Sequence, residues 1–171
     1  PEVVVHDEPG TCAYLPEKRW RLPLRLPLRP LNGDELDGRL AEGDRREGRL
    51  LYRTHCPDCE ACEPIRIDVE NFEPRKTQRR IWRRGVQRIR VTQGPVVLDA
   101  QRAALFKKHK RERDLDAHEP EASVEELRSF PVDSCCESME LRYHLDGQLL
   151  GVAIVDRGAR AMSAVYTYYD P

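Results

Sequence analysis

Cys56, Cys59 and Cys62 stand three residues apart in the run YRTHCPDCEACEPIR, residues 52–66. Thiolates at that spacing can converge on one Zn²⁺ or one iron–sulfur cluster, and both usually take four protein ligands. The fourth cysteine of a ferredoxin-type run would fall where Arg66 stands, so a fourth ligand must come from elsewhere. Cys12 is the first candidate, with His55 and His6 behind it. The spacing does not choose between zinc and iron–sulfur. The competing reading is a tight turn that binds nothing, or one that pairs as a disulfide after purification. Cys135 and Cys136 are adjacent, lack ligand spacing around them, and read as ordinary thiols.

A second chemical feature follows directly. Residues 75–90 carry eight Lys or Arg and no acid. Lys76, Arg79, Arg80 and Arg83 fall at i, i+3, i+4 and i+7, one stripe of a helix, and Arg84 and Arg88 widen it. Several guanidinium forks on one face suit a row of phosphates and a salt-sensitive affinity. A solvated charged face is the bland alternative, but sixteen residues without a compensating acid favour nucleic acid. Trp82, inside this run, could stack a base; a core position is the expectation. Lys107, Lys108, Lys110 and Arg111 add a second basic cluster, diluted by neighbouring acids.

These groups must be positioned by the elements around them. Prolines at 16, 23, 27 and 30 make the first thirty residues extended or edge-strand chain rather than helix. Residues 32–44 read as a turn and a short helix with Leu36 and Leu40 on one face. Leu50–Tyr52 and Pro64–Val69 read as short strands flanking the cysteine turn, the second because Ile65, Ile67 and Val69 alternate with Arg66 and Asp68. A helix is expected over Lys76–Val86, capped by Thr77 with Ile81, Trp82 and Val86 as its apolar side. Another is expected over Asp99–Arg113, with Asp99 as N-cap and Ala103, Leu105 and Phe106 inward. His118–Phe130 reads as a loop and a third helix, Pro120 at its start and Val124 and Leu127 as anchors. Met139–Leu145, the Asp146-Gly147 turn, Leu149–Val155 and Ala161–Tyr168 then form an antiparallel meander. The fold class is α+β.

At 171 residues the chain is long enough to bury a core as one domain or two small ones. A net charge of −1 excludes a generic polyanion binder, so the local charge asymmetry carries the signal instead. No run of about 18 apolar residues is present, so no transmembrane helix is expected. The first residues lack a signal-peptide layout, and the cysteine spacing favours a reducing compartment, so the protein is expected to be cytoplasmic. Starting without Met and stopping at YTYYDP, both ends read as cut. No P-loop, dinucleotide glycine fingerprint, HExxH or GxSxG occurs. Tyr166 and Tyr168 share one face of a strand and could line a pocket, or serve as plain core aromatics. No Asp, Glu or His stands out as a general base.

The stretches CAYLP (12–16), RLPLRLPLRPL (21–31), GDRREG (43–48), LYRTHCPDCEACEPIRI (51–67), FEPRKTQRR (72–80), LLGVAIVD (149–156) and SAVYTYYDP (163–171) resemble the aminoacyl-tRNA–protein transferases of the N-degron pathway, arginyl-transferases and their bacterial leucyl-transferring relatives. The resemblance implies an N-terminal cysteine-containing, metal-binding domain, residues 1–70, and a partial GNAT-like acyltransferase domain, residues 71–171, that stops short of the family's last segment. It implies transfer of leucine or arginine from aminoacyl-tRNA to the N-terminal amine of proteins beginning with Asp or Glu. It also implies that Cys12, Cys56, Cys59 and Cys62 are the metal positions, which supports Cys12 as the fourth ligand. Where relatives carry Asn after the arginine pair, this chain has Gly85.

With that resemblance, Lys76, Arg79, Arg80 and Arg83 are expected to bind tRNA, Arg66 to bind the acidic side chain of the acceptor, and Tyr166 and Tyr168 to line the acyl or acceptor pocket. No cofactor is required for transfer itself; zinc or an iron–sulfur cluster at the cysteines would be a scaffold or sensor. The expected partners are aminoacyl-tRNA and protein substrates, with no membrane and no DNA. The rival readings are a metal-stapled RNA-binding module without transferase activity and an acetyl-CoA-dependent acetyltransferase.

Overall fold

Proline-punctuated chain cannot coil, and the N-terminal residues form strands β1 (Glu2–His6), β2 (Gly10–Thr11), β3 (Arg19–Trp20) and β4 (Leu24–Pro27). This is a computed structural model, and it describes residues 1–115 and 123–171. Helix α1 (Gly33–Ala41) starts at a reciprocal cap. Asn32 Oδ1 accepts from Glu35 N at 2.9 Å, and Glu35 Oε2 accepts from Asn32 N at 3.0 Å. Strands β5 (Arg45–Glu47) and β6 (Leu50–Tyr52) complete an antiparallel sheet of order β1-β4-β6-β5.

The second sheet holds β7 (Ile89–Pro95), β8 (Ser138–Leu145), β9 (Gln148–Arg157) and β10 (Met162–Tyr169), antiparallel in the order β10-β9-β8-β7. Helix α2 (Lys76–Val86) precedes β7. Between β7 and β8 come α3 (Ala100–Glu112), α4 (Val124–Leu127) and a wide turn, Arg128–Val132, of π geometry. The β8–β9 hairpin turns on Asp146 and Gly147, both at positive φ (50° and 81°), the mirror-image turn that matches strand twist. The α+β expectation holds, as do both long helices and the meander. The core lies where α3 packs on one face of this sheet: Phe106, Leu127, Val152, Ile154 and Tyr168 are each 1% exposed or less. Tyr168 meets the Phe106 ring edge-on at 5.6 Å.

Two polar locks tie the sheets together. All five N–H donors of buried Arg46 are occupied: Nε and Nη2 reach Asp156 at 2.7 and 3.0 Å, and the rest reach the carbonyls of Gly48, Asp133 and Pro131. From α1, Asp37 accepts the backbone N–H groups of Arg160 and Ala161 at 2.8 and 3.1 Å, fixing the β9–β10 turn.

Three local expectations are corrected. Pro64–Val69 is not a strand: Ile65, Ile67 and Val69 are 89%, 64% and 82% exposed. An alternating pattern needs a partner edge, and β6 is already flanked by β4 and β5. Thr77 does not cap α2; the N-cap is Arg75, whose backbone N–H donates to Gln78 Oε1 at 2.7 Å. Val124 is 48% exposed, leaving Leu127 as the only anchor of the expected pair. The expected helix start at Pro120 lies outside the described residues. Strand β7 has no counterpart in the sequence reading; its Pro95 is tolerated because β7 is an edge strand.

Candidate nucleic-acid interface

Helix α2 runs over the residues its periodicity predicts, but it buries none of them. Lys76, Arg79, Arg80, Arg83 and Arg84 line an open cleft of about 620 Å³. Arg83 and Arg84 in the last turn complement the helix dipole, whereas no acid occupies the first turn. Arg79 Nη1 donates to Pro74 O at 2.6 Å, which pins that guanidinium beside the helix start. The other stripe cations carry no ion pair among the described residues. What the arrangement can do chemically is to meet several phosphates at once.

The apolar side of α2 is corrected by the structure. Trp82 is 71% exposed, and Ile81 and Val86 are 62% and 56% exposed. The expected core position for Trp82 is therefore wrong. Its helix neighbours at i−3 and i+4 are Arg79 and Val86, so the indole borders the cationic stripe. An exposed indole among arginines is the arrangement that stacks bases in single-stranded nucleic-acid binders.

Arg66 sits in the loop after the cysteine turn, and Nη2 donates to the α1 carbonyls of Leu40, at 2.9 Å, and Ala41. It thus caps the end of α1, where a cation also meets the negative end of the helix dipole. Tyr166 and Tyr168 do share one face of β10, opposite Ile154 and Val152. Tyr168 is sealed from solvent, so the expectation that it lines an open pocket is corrected to core packing. Burial pushes its hydroxyl above the ordinary tyrosine range. Tyr166 is half-buried, its ring 5.2 Å from Phe130 and 6.0 Å from Phe106, and burial raises it too. Next to it, burial lowers the His109 imidazole, whose Nδ1 lies 3.1 Å from Tyr169 O.

Cys12 and the Cys56–Cys62 turn occupy one region. Cys12 N donates to Lys18 O at 3.0 Å, and Lys18 Nζ donates to Asp58 O at 2.9 Å, which brings the β2–β3 hairpin alongside the Cys56–Cys62 turn. Among the described residues, however, no three His, Cys, Asp or Glu side chains converge as a metal centre requires. All six cysteines are free thiols. Cys135 is buried, as an ordinary small apolar side chain would be.

Sequence reasoning missed a second cationic cleft, lined by Arg88, Arg90, Arg142 and His144. The first two lie more than fifty residues from the last two in the chain, and the β7–β8 pairing brings them together. No helix of the described residues is long and apolar enough to cross a membrane.

Residues 10–80 match the family model described as arginine-tRNA-protein transferase, N terminus, and residues 101–171 match arginine-tRNA-protein transferase, C terminus. The aspartate/glutamate leucyltransferase of Chromobacterium violaceum is 33% identical over 163 residues, 95% of this chain and 67% of the relative. That of Halorhodospira halophila is 36% identical over 165 residues, 94% of this chain and 68% of the relative. That of Chromohalobacter salexigens is 34% identical over 163 residues, 95% and 66%. The chain spans about two thirds of the length of these curated relatives.

Proposed function

Because the chain belongs to the arginine-tRNA-protein transferase family, we propose that it is an aminoacyltransferase that moves leucine from leucyl-tRNA to the N-terminal amine of proteins beginning with Asp or Glu. The observation that carries this reading is the match of both family halves, in order, to one chain whose near relatives are named for that activity. Leucine rather than arginine follows from those relatives' names. The site of action is the cytoplasm, where the tRNA is charged.

We assign residues 1–70 to a cysteine-bearing N-terminal domain and 71–171 to a GNAT-like acyltransferase domain. Supporting the second assignment is the antiparallel sheet with α3 and α4 between β7 and β8. Lys76, Arg79, Arg80 and Arg83 grip tRNA phosphates, and Trp82 stacks an unpaired base beside them. Tyr166 is the remaining candidate of the tyrosine pair for the acyl or acceptor pocket. Arg66 could meet the acceptor's acidic side chain only by releasing the end of α1, so it takes the role of acceptor contact with a competing structural role.

The reaction forms an amide from the acceptor's α-amine and breaks the aminoacyl ester, releasing the tRNA hydroxyl. An α-amine titrates at about 7.7–8, so a useful fraction is already neutral and nucleophilic at cytoplasmic pH. The ester is activated, and holding amine and ester in attack geometry can supply roughly 7–11 kcal/mol. Backbone N–H groups must stabilise the developing oxyanion. The register slip between Ala164 and Tyr166 sets Val165 out of the β9–β10 ladder, and that bulge is the candidate donor segment.

Labelled leucyl-tRNA and arginyl-tRNA should be offered with peptides beginning Asp, Glu or Ala. Label is expected from leucyl-tRNA on the Asp and Glu peptides and not on Ala. Transfer of arginine alone would reverse the donor assignment. Tight tRNA binding with no transfer would favour an RNA-binding module.

The cysteine turn is given no step in the transfer. Metal loading at Cys12, Cys56, Cys59 and Cys62 would require the turn to close on the hairpin that Lys18 already holds beside it. Protein prepared without oxygen should then carry stoichiometric zinc or iron, lost in Cys12→Ser. A metal-free parent protein would retire the reading.

A further inference from the structure

Resting on the reading that this chain handles tRNA, we propose that the face formed by β7 and β8 is a second phosphate-binding subsite, continuous with α2, that takes backbone phosphates of the same RNA. Helix α2 ends at Val86 and turns into β7 within two residues, the Arg88 N–H donating to Gly85 O at 2.9 Å. In the antiparallel register Arg90 stands directly opposite His144, and Thr92 opposite Arg142. Side chains alternate between the faces of a strand, so these four share one face. With Arg88 and Asp146 they line an open cleft of about 420 Å³.

Three arginines, Arg88, Arg90 and Arg142, line this one cleft and repel one another. Glu140 compensates Arg142, but the other two arginines have no such partner among the described residues. Arg88 and Arg90 make no ion pair or side-chain hydrogen bond among the described residues. Asp146 is the single acid in the lining, against three arginines. His144 lines the same cleft, its Nδ1 buried without a hydrogen-bond partner, so that the other ring nitrogen is the one that can donate to a phosphate oxygen.

Arg142 is held in place rather than left to swing. Its Nε donates to Glu140 Oε1 at 2.5 Å and its Nη2 to Pro95 O at 3.2 Å. Its guanidinium lies over Gly94, where a Cβ would come within 2.6 Å of Nη2. Such a braced, planar fork suits a phosphate diester. The cleft therefore offers a braced cation and exposed unpaired ones side by side, next to the stripe on α2.

The test is the salt dependence of tRNA binding by the whole chain, comparing the parent with Arg88→Gln/Arg90→Gln. Both side chains are exposed, so the variant should keep the parent's circular dichroism and melting curve; Arg142 is left untouched because it braces Glu140. Each lost phosphate contact should lower the slope of log K against log salt by about 1. The variant's slope should thus fall by about 1–2, with affinity at about 0.15 M salt reduced roughly 5–30-fold. The His144 ring resonances should shift on adding tRNA and not on adding the same concentration of inorganic phosphate.

A parental slope in the folded variant, alongside a reduced slope in Arg79→Glu/Arg80→Glu, overturns the sheet subsite and leaves the tRNA reading standing. Equal His144 shifts with inorganic phosphate assign the cleft to a small anion and overturn its RNA role. If the parent itself does not bind tRNA, it is the functional reading that fails.

Discussion

Charge reversal at two positions of α2, Arg79→Glu and Arg80→Glu, is expected to lower tRNA affinity by at least about 30-fold at about 0.15 M salt. The size follows from counterion release. Each neutralised phosphate contributes about 0.9 to the slope of log K against log salt, so two contacts contribute roughly 1.5 log units at that ionic strength. Reversal adds repulsion to that loss. Neither side chain packs in the core, and α2 buries no residue, so stability should move little. Transfer should fall in parallel through the KM for aminoacyl-tRNA, with kcat nearly unchanged if the stripe grips without touching the reacting ester. Parental affinity at low salt would remove the stripe from the interface.

Replacing Glu140 by Ala should destabilise the fold by about 3–5 kcal/mol at neutral pH, the usual cost of stranding the partner of a buried pair. Glu140 is wholly buried on β8 and accepts from Arg102, Arg142 and the Val97 N–H. Arg102, itself buried on α3, would lose the partner that fastens the helix to the sheet. A urea midpoint close to the parent's would refute this. The double variant with Arg102→Ala should lose less than the two single losses combined, because the stranded charge goes too.

The same group sets an acid limb. Burial alone would raise the Glu140 carboxyl, but hydrogen bonds from Arg102 and Arg142 outweigh it and hold the group below its ordinary 4.5. A folded-state value below the unfolded one contributes stability that is full above about 4.5 and is lost as pH falls through the folded value. The parent should therefore lose stability below about pH 4.5, and the Glu140→Ala curve should be flatter over that window. Parallel curves would show that Glu140 plays no part in acid unfolding.

Much of the local architecture was legible because its signals are local. The cations and apolar residues of 76–86, the Asp99 cap with Ala103, Leu105 and Phe106, and the Asp146-Gly147 turn each specify their element within a few residues. The failures share a cause as well. Ile65, Ile67 and Val69 carry a strand pattern, but whether a strand forms depends on a free edge elsewhere, and β6 has none. Trp82 has the composition of a core residue, but nothing in the described chain covers α2. Arg46 reads as one arginine among many until Asp156, 110 positions away, is found against it.

The cationic stripe was determined by sequence alone, since helical periodicity places Lys76, Arg79, Arg80 and Arg83 on one face whatever surrounds them. So was the family, which rests on residue order. Tertiary structure decided the rest: that Trp82 faces solvent beside the stripe, that Tyr168 is sealed in the core, and that Arg90 stands across from His144 with Arg88 and Arg142 in the same cleft. It also decided that the cysteine-bearing hairpin lies beside the Cys56–Cys62 turn. Spacing along the chain fixes which side chains can share a face of their own element. Which faces meet is set by strand pairing and packing between distant segments, and no local pattern encodes that.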